Sequence, residues 1–326
     1  MQTITAPTIG FGAALHIPLR ASCMQRRIYF SSFVIFGLFF ILTFVPMHPI
    51  YTYIRQTLAG VYPEEETAAL AKWILTDVFC LSTTELYAGK DMNFSKNECD
   101  RLEDILSRLK RYEPLQYILG KVDFCGLPFE VAPGALIPRP ETAELIDWII
   151  SDCTDKAGVR ILDVGTGSGC IPIVLGKKIK ESKITSWDVS EKALDIARRN
   201  KLLNQVDITL AQVDIFDTAL PDIHVDVLVS NPPYITEKER SGMERNVLDW
   251  EPELALFVPD SDPLLFYRRI AEVGCDILVS GGTLYYEINR AYGKETVQLL
   301  EGMGYQSVEL RKDMFGDDRM IKAFRP

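Results

Sequence analysis

The chain has 326 residues, an ordinary globular composition and a formal net charge of -10. That length gives one large or two ordinary domains, and the acidic balance argues against a surface built to neutralise a phosphate backbone, although it leaves room for a local basic patch. The seven cysteines are spread out and never form a C-x-x-C pair, and the histidines are only His16, His48 and His224. A disulfide framework, a metal centre and a His-based triad are therefore not expected, and a reducing compartment, the cytoplasm, is.

Residues 1–46 differ in character from the rest of the chain. Phe30 to Val45 is a nearly unbroken apolar run, preceded by Arg26 and Arg27 and closed by Pro46. It reads as a signal segment, a membrane anchor or a stretch that is never translated. It falls short of the ~20 residues that usually span a bilayer, and no A-x-A-like cleavage site succeeds it. The expected start is Met47, because Tyr51, Ile54 and Leu58 behind it form an apolar stripe at helical spacing.

Residues 47–119 read as a small all-α domain. Pro63 with Glu64, Glu65 and Glu66 suits the first turn of a helix whose apolar face carries Leu70, Trp73, Ile74 and Val78. Ser95 and Glu98 have the spacing of a capping box and open a helix through Leu102, Ile105, Leu106 and Leu109, which ends before Pro114. These stripes read first as core packing. A helical module ahead of an enzyme domain also serves to grip a partner.

Residues 120–135 alternate through Val122, Phe124, Leu127, Phe129 and Val131, which predicts a linking β-hairpin. Leu136 to Thr142 comes next as a rigid Pro-rich loop holding Arg139, which is either a solvated charge or a group that orients a carboxylate or peptide backbone at a cleft edge. Past Gly158, strands and helices alternate to the end of a domain spanning 136–326. Strands are predicted over 159–164, 184–188, 208–211, 225–230, 282–287, 305–310 and 320–324, with the last two joined by Gly316-Asp317-Asp318 as an antiparallel pair. Such open sheets bind ligands at the carboxyl ends of their strands.

The first of these strands ends in Asp163-Val164-Gly165-Thr166-Gly167-Ser168-Gly169 and leads into a helix. Glycines there admit a ligand to the backbone, and the helix N-terminus offers oriented N–H groups. Cys170 replaces the last glycine of a dinucleotide fingerprint and no P-loop Lys is present. The acid-x-G-x-G-x-G pattern is instead that of the S-adenosylmethionine loop of Rossmann-like methyltransferases. Asp163 then faces the amino-acid part of the cofactor, Asp188 is placed for the ribose hydroxyls, and Asp214 with Ile215 for the adenine. The fourth strand runs into Ser230-Asn231-Pro232-Pro233-Tyr234, where two prolines stop the strand and stiffen the turn. The Asn231 side-chain carbonyl and the Pro232 backbone carbonyl become two fixed acceptors beside an aromatic ring, an arrangement suited to a planar NH2 group. The motif leaves open whether that group belongs to a base or an amide.

From about His48 to Pro326 the sequence resembles the glutamine-N5 methyltransferases of peptide chain release factors. The resemblance rests on Glu113 to Gly120, Ile137-Pro138-Arg139-Pro140-Glu141-Thr142, Asp163 to Gly169, N-P-P-Y at Asn231 to Tyr234, and Glu251-Pro252-Glu253-Leu254-Ala255-Leu256. N-P-P-Y alone is shared with amino-methyltransferases acting on adenine; the combination is more specific. It implies a class I, Rossmann-like α/β sheet of seven strands with the last antiparallel, behind a helical domain that helps recognise the release factor, whose Gly-Gly-Gln loop enters the cleft. S-adenosylmethionine is the implied cofactor and S-adenosylhomocysteine the product, without a metal. The implied cofactor contacts are Asp163, Gly165, Thr166, Gly167, Ser168, Gly169, Asp188, Asp214, Ile215 and Asn231. The implied substrate contacts are Asn231, Pro232, Pro233, Tyr234 and Arg139, with Asn231, Pro232 and Tyr234 at the chemistry. Ile215 departs from the aromatic that relatives often place against adenine. A monomer is expected, without sequence-specific nucleic-acid binding, and with no membrane attachment unless the apolar run is translated. Two rival readings are an adenine-N6 methyltransferase on DNA or RNA and a non-catalytic, membrane-tethered nucleotide-binding scaffold.

Overall fold

The computed structural model describes residues 49–87 and 94–326, so the apolar run at 30–45 and the expected start at Met47 lie outside the described residues. The described residues divide into two compact units, 49–56 with 71–87, and 57–70 with 94–326.

Helices α1 (Pro49–Leu58) and α2 (Glu64–Trp73) run across this division. Tyr51, Ile54 and Leu58 are buried as their spacing implies, and the three glutamates sit in the first turn of α2. The expected apolar face of α2 is buried in part. Ala71, Ile74, Leu75 and Val78 are buried, whereas Leu70 and Trp73 are only partly so. A π-helical turn over Ile74–Val78 follows α2. Helix α3 (Thr83–Tyr87) completes this part.

In the larger unit, α4 (Lys96–Leu109) carries the expected capping box. Ser95 Oγ accepts from the Glu98 N–H at 3.3 Å, and Glu98 Oε2 accepts from the Ser95 N–H at 2.7 Å. After α5 (Leu115–Leu119), strands β1 (Lys121–Phe124) and β2 (Leu127–Glu130) pair antiparallel. Their turn residues Cys125 and Gly126 have φ of 54° and 76°, the two left-handed positions of a type I′ turn, which matches the strand twist.

The main sheet is built from β3 (Arg160–Val164), β4 (Lys183–Asp188), β5 (Ile208–Gln212), β6 (Val225–Ser230), β9 (Leu278–Glu287), β10 (Gln306–Lys312) and β11 (Asp318–Phe324). Its order is β10-β11-β9-β6-β3-β4-β5, with β11 antiparallel to both neighbours and the other pairs parallel. Strand β9 begins at Leu278, earlier than Gly282. A register irregularity opposite Val225 and Val227 absorbs the Gly281-Gly282 step that looked like a strand start. Two short strands after the main turn, β7 (Ile235–Thr236) and β8 (Phe257–Val258), pair with each other.

Alternation along β6 sorts the core. Val227 and Val229 face Leu145, Ile146 and Ile149 of α6 (Pro140–Cys153) and Ile173 and Val174 of α7 (Cys170–Lys178). Leu228 joins Tyr267, Ile270 and Ala271, and beyond them Leu300, on the other face. The last four lie in α10 (Leu265–Ile277) and α11 (Gly293–Gly302), while α8 (Glu191–Asn204) and the short α9 (Arg245–Leu248) complete the helices. Chain direction reverses its progress across the sheet between β3 and β6, and ligand clefts form at such switch points. Among the described residues no helix is long and apolar enough to cross a membrane.

One buried side chain fixes the hairpin to the sheet domain. Asn200 of α8 accepts from the Glu130 N–H at 2.6 Å and donates to the carbonyls of Glu130 and Ser168, each at 2.9 Å. Asn200→Ala leaves these buried backbone groups without partners and is expected to lower unfolding stability by about 2 kcal/mol, read by urea denaturation.

Candidate active site

The loop after β3 needs its glycines. Gly165, Gly167 and Gly169 have φ of 79°, 55° and 80°, in the left-handed region that other residues enter at a cost. The N–H groups of Gly165 and Thr166 donate to the Trp187 carbonyl at 2.8 and 3.2 Å, tying the loop to the end of β4. Asp188 continues that tie, with Oδ2 accepting from the Gly167 N–H at 2.9 Å and Oδ1 from the Ser190 N–H at 2.8 Å. A carboxylate has about four lone-pair sites, so capacity remains on Asp188 for two hydroxyl donors. Asp214, anchored by the Phe216 N–H at 2.9 Å, and Ile215 line the same cleft, and Phe266 of α10 adds an aromatic wall there.

At the end of β6, Ser230 Oγ donates to the Val164 carbonyl at 2.6 Å and locks the two strand ends together. Asn231 donates through Nδ2 to Thr142 Oγ1 at 3.3 Å, Thr142 donates to Glu287 Oε2 at 2.6 Å, and the Tyr234 hydroxyl donates to Glu287 Oε1 at 3.2 Å. No described residue hydrogen-bonds Asn231 Oδ1 or the Pro232 carbonyl. Burial, and after it the Glu287 charge, hold the Tyr234 phenol far above its ordinary pKa, so it stays a neutral donor. Beyond it, β7 pairs with β8 through the Ile235 N–H to the Leu256 carbonyl at 2.9 Å, which brings Pro252, Leu254 and Ala255 to the cleft. Arg139 Nη2 meets the buried Glu251 Oε1 at 2.5 Å, and Glu251 Oε2 accepts from the Ile137 N–H at 3.3 Å, so the Pro-rich loop and the Glu251 segment are clasped. Trp250 Nε1 donates to the Arg111 carbonyl at 3.1 Å and Arg245 lies 4.0 Å over the Tyr112 ring, which couples the same segment to the chain after α4.

Residues 50–120 match the family model described as the PrmC N-terminal domain, and residues 147–248 the one described as Methyltransferase small domain. A release factor glutamine methyltransferase from Bacteroides thetaiotaomicron is 50% identical over 280 residues, covering 86% of this chain and 100% of that protein. The chain belongs to the release factor glutamine methyltransferase family. Relatives of the same name from Flavobacterium psychrophilum and Streptococcus pneumoniae are 44% and 37% identical, over 82% and 78% of this chain and 95% and 91% of theirs. Membership makes the protein an S-adenosylmethionine-dependent methyltransferase.

The residues of this family member fit that cofactor. Asp163 is fully buried with neither carboxylate oxygen hydrogen-bonded, and the Thr166 and Ser168 hydroxyls next to it in the chain also lack partners. Thr166 and Ser168 line the cleft with Asp163 behind them, a polar group that suits the cationic amino-acid part of S-adenosylmethionine. Burial pushes the Asp163 carboxyl up to about 7; the Asp188 charge adds to this, and the nearby Thr166 and Ser186 hydroxyls oppose it. Between the ordinary value of about 4 and about 7 the folded protein therefore holds a proton that the unfolded chain has released. Stability of the cofactor-free protein should fall as pH rises through that window. Urea denaturation at pH 5 and pH 7.5 is expected to show a larger loss for wild type than for Asp163→Asn, and equal losses would contradict the assignment.

Of the residues the sequence singled out, Gly165, Thr166, Gly167, Ser168, Asp188, Asp214, Ile215, Asn231, Pro232, Pro233 and Arg139 line one cleft. Asp163 and Gly169 lie behind its wall, and Tyr234 packs partly buried against the core cluster around Tyr267 and Tyr286. The guanidinium of Arg139 is at the rim but engaged with Glu251. Ile215 is buried beside Val164, Trp187 and Ile270, and Phe266 also lines the cleft. Sequence reasoning passed over Thr142, Glu251 and Glu287 as individual residues. The available signal for Glu287 was an acid ending a buried strand at the same sheet edge as Asp163 and Asn231.

Proposed function

We propose that the protein methylates the side-chain amide nitrogen of the glutamine in the Gly-Gly-Gln motif of peptide chain release factors. The observation that carries this reading is the pair of unengaged acceptors, Asn231 Oδ1 and the Pro232 carbonyl, held on a stiff turn beside the glycine loop. When bound, S-adenosylmethionine supplies an electrophilic methyl group on a sulfonium.

The chain's residues must make a weak nucleophile competent, because the amide nitrogen shares its lone pair with its carbonyl. Each acceptor takes one N–H of the substrate amide, which fixes the nitrogen in position and draws electron density onto it. These bonds strengthen as positive charge grows on nitrogen, so they favour the transition state over the ground state. The Tyr234 ring, partly exposed beyond Pro233, is the surface against which the amide plane packs. The proton leaves after attack, so no strong base is needed beforehand. The clasp of Arg139 on Glu251 holds Pro252 to Ala255 as the wall past which the loop of the release factor enters. The helical region at 47–119 contributes to recognising the rest of that factor. We place the enzyme in the cytoplasm as a monomer that uses no metal.

Labelled S-adenosylmethionine, incubated with full-length protein and either a release factor, the same factor with its Gly-Gly-Gln glutamine replaced by alanine, or duplex and single-stranded nucleic acid, tests the reading. Label is expected in the intact factor alone. Label on nucleic acid, or on the alanine variant, would overturn it.

A further inference from the structure

The orientation of Asn231 is set by residues outside its own turn. Glu287 ends β9 one step beyond the Ser230–Tyr286 pair and is 1% exposed, and Thr142, in the first turn of α6, is 2% exposed. Burial raises the Glu287 carboxyl, while the two hydroxyl donors and the Arg319 charge favour its ionised form. Thr142 Oγ1 at 2.6 Å and the Tyr234 hydroxyl at 3.2 Å both donate to the Glu287 carboxyl oxygens. With its single proton committed, Thr142 Oγ1 has only lone pairs to offer. Asn231 must therefore present Nδ2 to it, as it does at 3.3 Å. That leaves Oδ1 as the end of the amide available to the cleft.

We propose that Glu287 and Thr142 are positioning residues, a buried relay that fixes which end of the Asn231 amide faces the substrate. The proposal rests on the glutamine-methylating reading of the site. A flipped Asn231 would set one NH2 against another, so the wrong rotamer is repulsive as well as inactive. Glu287→Gln can impose that rotamer, because the NH2 group it introduces would donate to Thr142, freeing the Thr142 proton for Asn231 Oδ1. Thr142→Val removes the relay without adding a donor.

Steady-state kinetics on a release factor, calorimetric S-adenosylmethionine binding and the side-chain amide region of a 1H–15N spectrum test this on the full-length protein. Thr142→Val is expected to lower kcat about tenfold, the scale of a misplaced contact group, with KM and cofactor Kd changed by no more than about twofold. Thr142→Ser should restore kcat, Glu287→Gln should lose at least as much as Thr142→Val, and Thr142→Val should add nothing to Asn231→Ala, because the relay acts only through Asn231. The Asn231 NH2 pair, identified by its loss in Asn231→Ala, should shift in Thr142→Val and hold its place in Thr142→Ser. Wild-type kcat in Thr142→Val, a full additional loss on top of Asn231→Ala, or an unmoved NH2 pair would overturn the proposal. If wild-type protein failed to methylate glutamine, the proposed function would fall, while the NH2 signals would still decide the relay.

Discussion

Asn231→Ala is expected to lower kcat for release-factor methylation by about two orders of magnitude, near ~2.7 kcal/mol of transition-state stabilisation. The size reflects the groups that remain. The Pro232 carbonyl is backbone and survives the substitution, so one of two acceptors still holds the amide, and the cleft still aligns it. The acceptor lost is one whose bond strengthens as charge builds on nitrogen, and with it goes the rigidity conferred by the Nδ2 contact to Thr142. The loss should fall on kcat and kcat/KM alike, since an interaction made chiefly in the transition state contributes little to ground-state binding. Single-turnover measurement with saturating cofactor separates this from product release. Near-wild-type turnover in the variant would rule out this mechanism.

Gly169→Ala is expected to destabilise the protein by about 2–4 kcal/mol and to weaken S-adenosylmethionine binding with it. Two costs combine. At φ of 80° an L residue is strained, and a Cβ built there meets Ile173 Cδ1 at 3.1 Å, Ala197 Cβ at 3.2 Å and Ala197 Cα at 3.4 Å. Ala197 sits on α8, so relief requires α7 and α8 to separate or the loop to withdraw from the cleft. The second course pulls the Gly167 N–H from Asp188 and the Ser168 carbonyl from Asn200. Gly167 makes an informative control, because a Cβ there meets nothing within 4 Å. Gly167→Ala carries the strain without the clash and should cost less stability. Urea denaturation with and without cofactor measures both effects, and equal losses in the two variants would show that packing against Ala197 is unimportant.

The parts of the fold legible in the sequence are those whose signal is local. Buried strands appear as apolar runs, as in Val225 to Val229; the hairpin appears through alternation around Gly126; the helix at Lys96 appears through Ser95 and Glu98. Strands β7 and β8 have two residues each, and α9 has four, too few to establish any period. The π turn at Ile74–Val78 has no counterpart in the helical spacing of the apolar residues. The site was legible where a motif carries its own geometry, as at the glycine loop and the Asn-Pro-Pro turn. It was illegible where function depends on distant partners. Thr142 and Glu287 are 145 positions apart, Arg139 and Glu251 are 112 apart, and nothing at either end announces the other. Tyr234 illustrates both cases. Its ring could be anticipated from the turn, whereas the commitment of its hydroxyl to Glu287 required the sheet register that sets β9 beside β6.

The most direct test is fragmentation mass spectrometry of the Gly-Gly-Gln peptide from a release factor treated with the full-length protein and S-adenosylmethionine. The expected result is a single added methyl group on the side-chain nitrogen of that glutamine, made by wild type and greatly reduced with Asn231→Ala. An unmodified glutamine after exhaustive reaction, or a methyl group on another residue, would contradict the assignment of the substrate to this site.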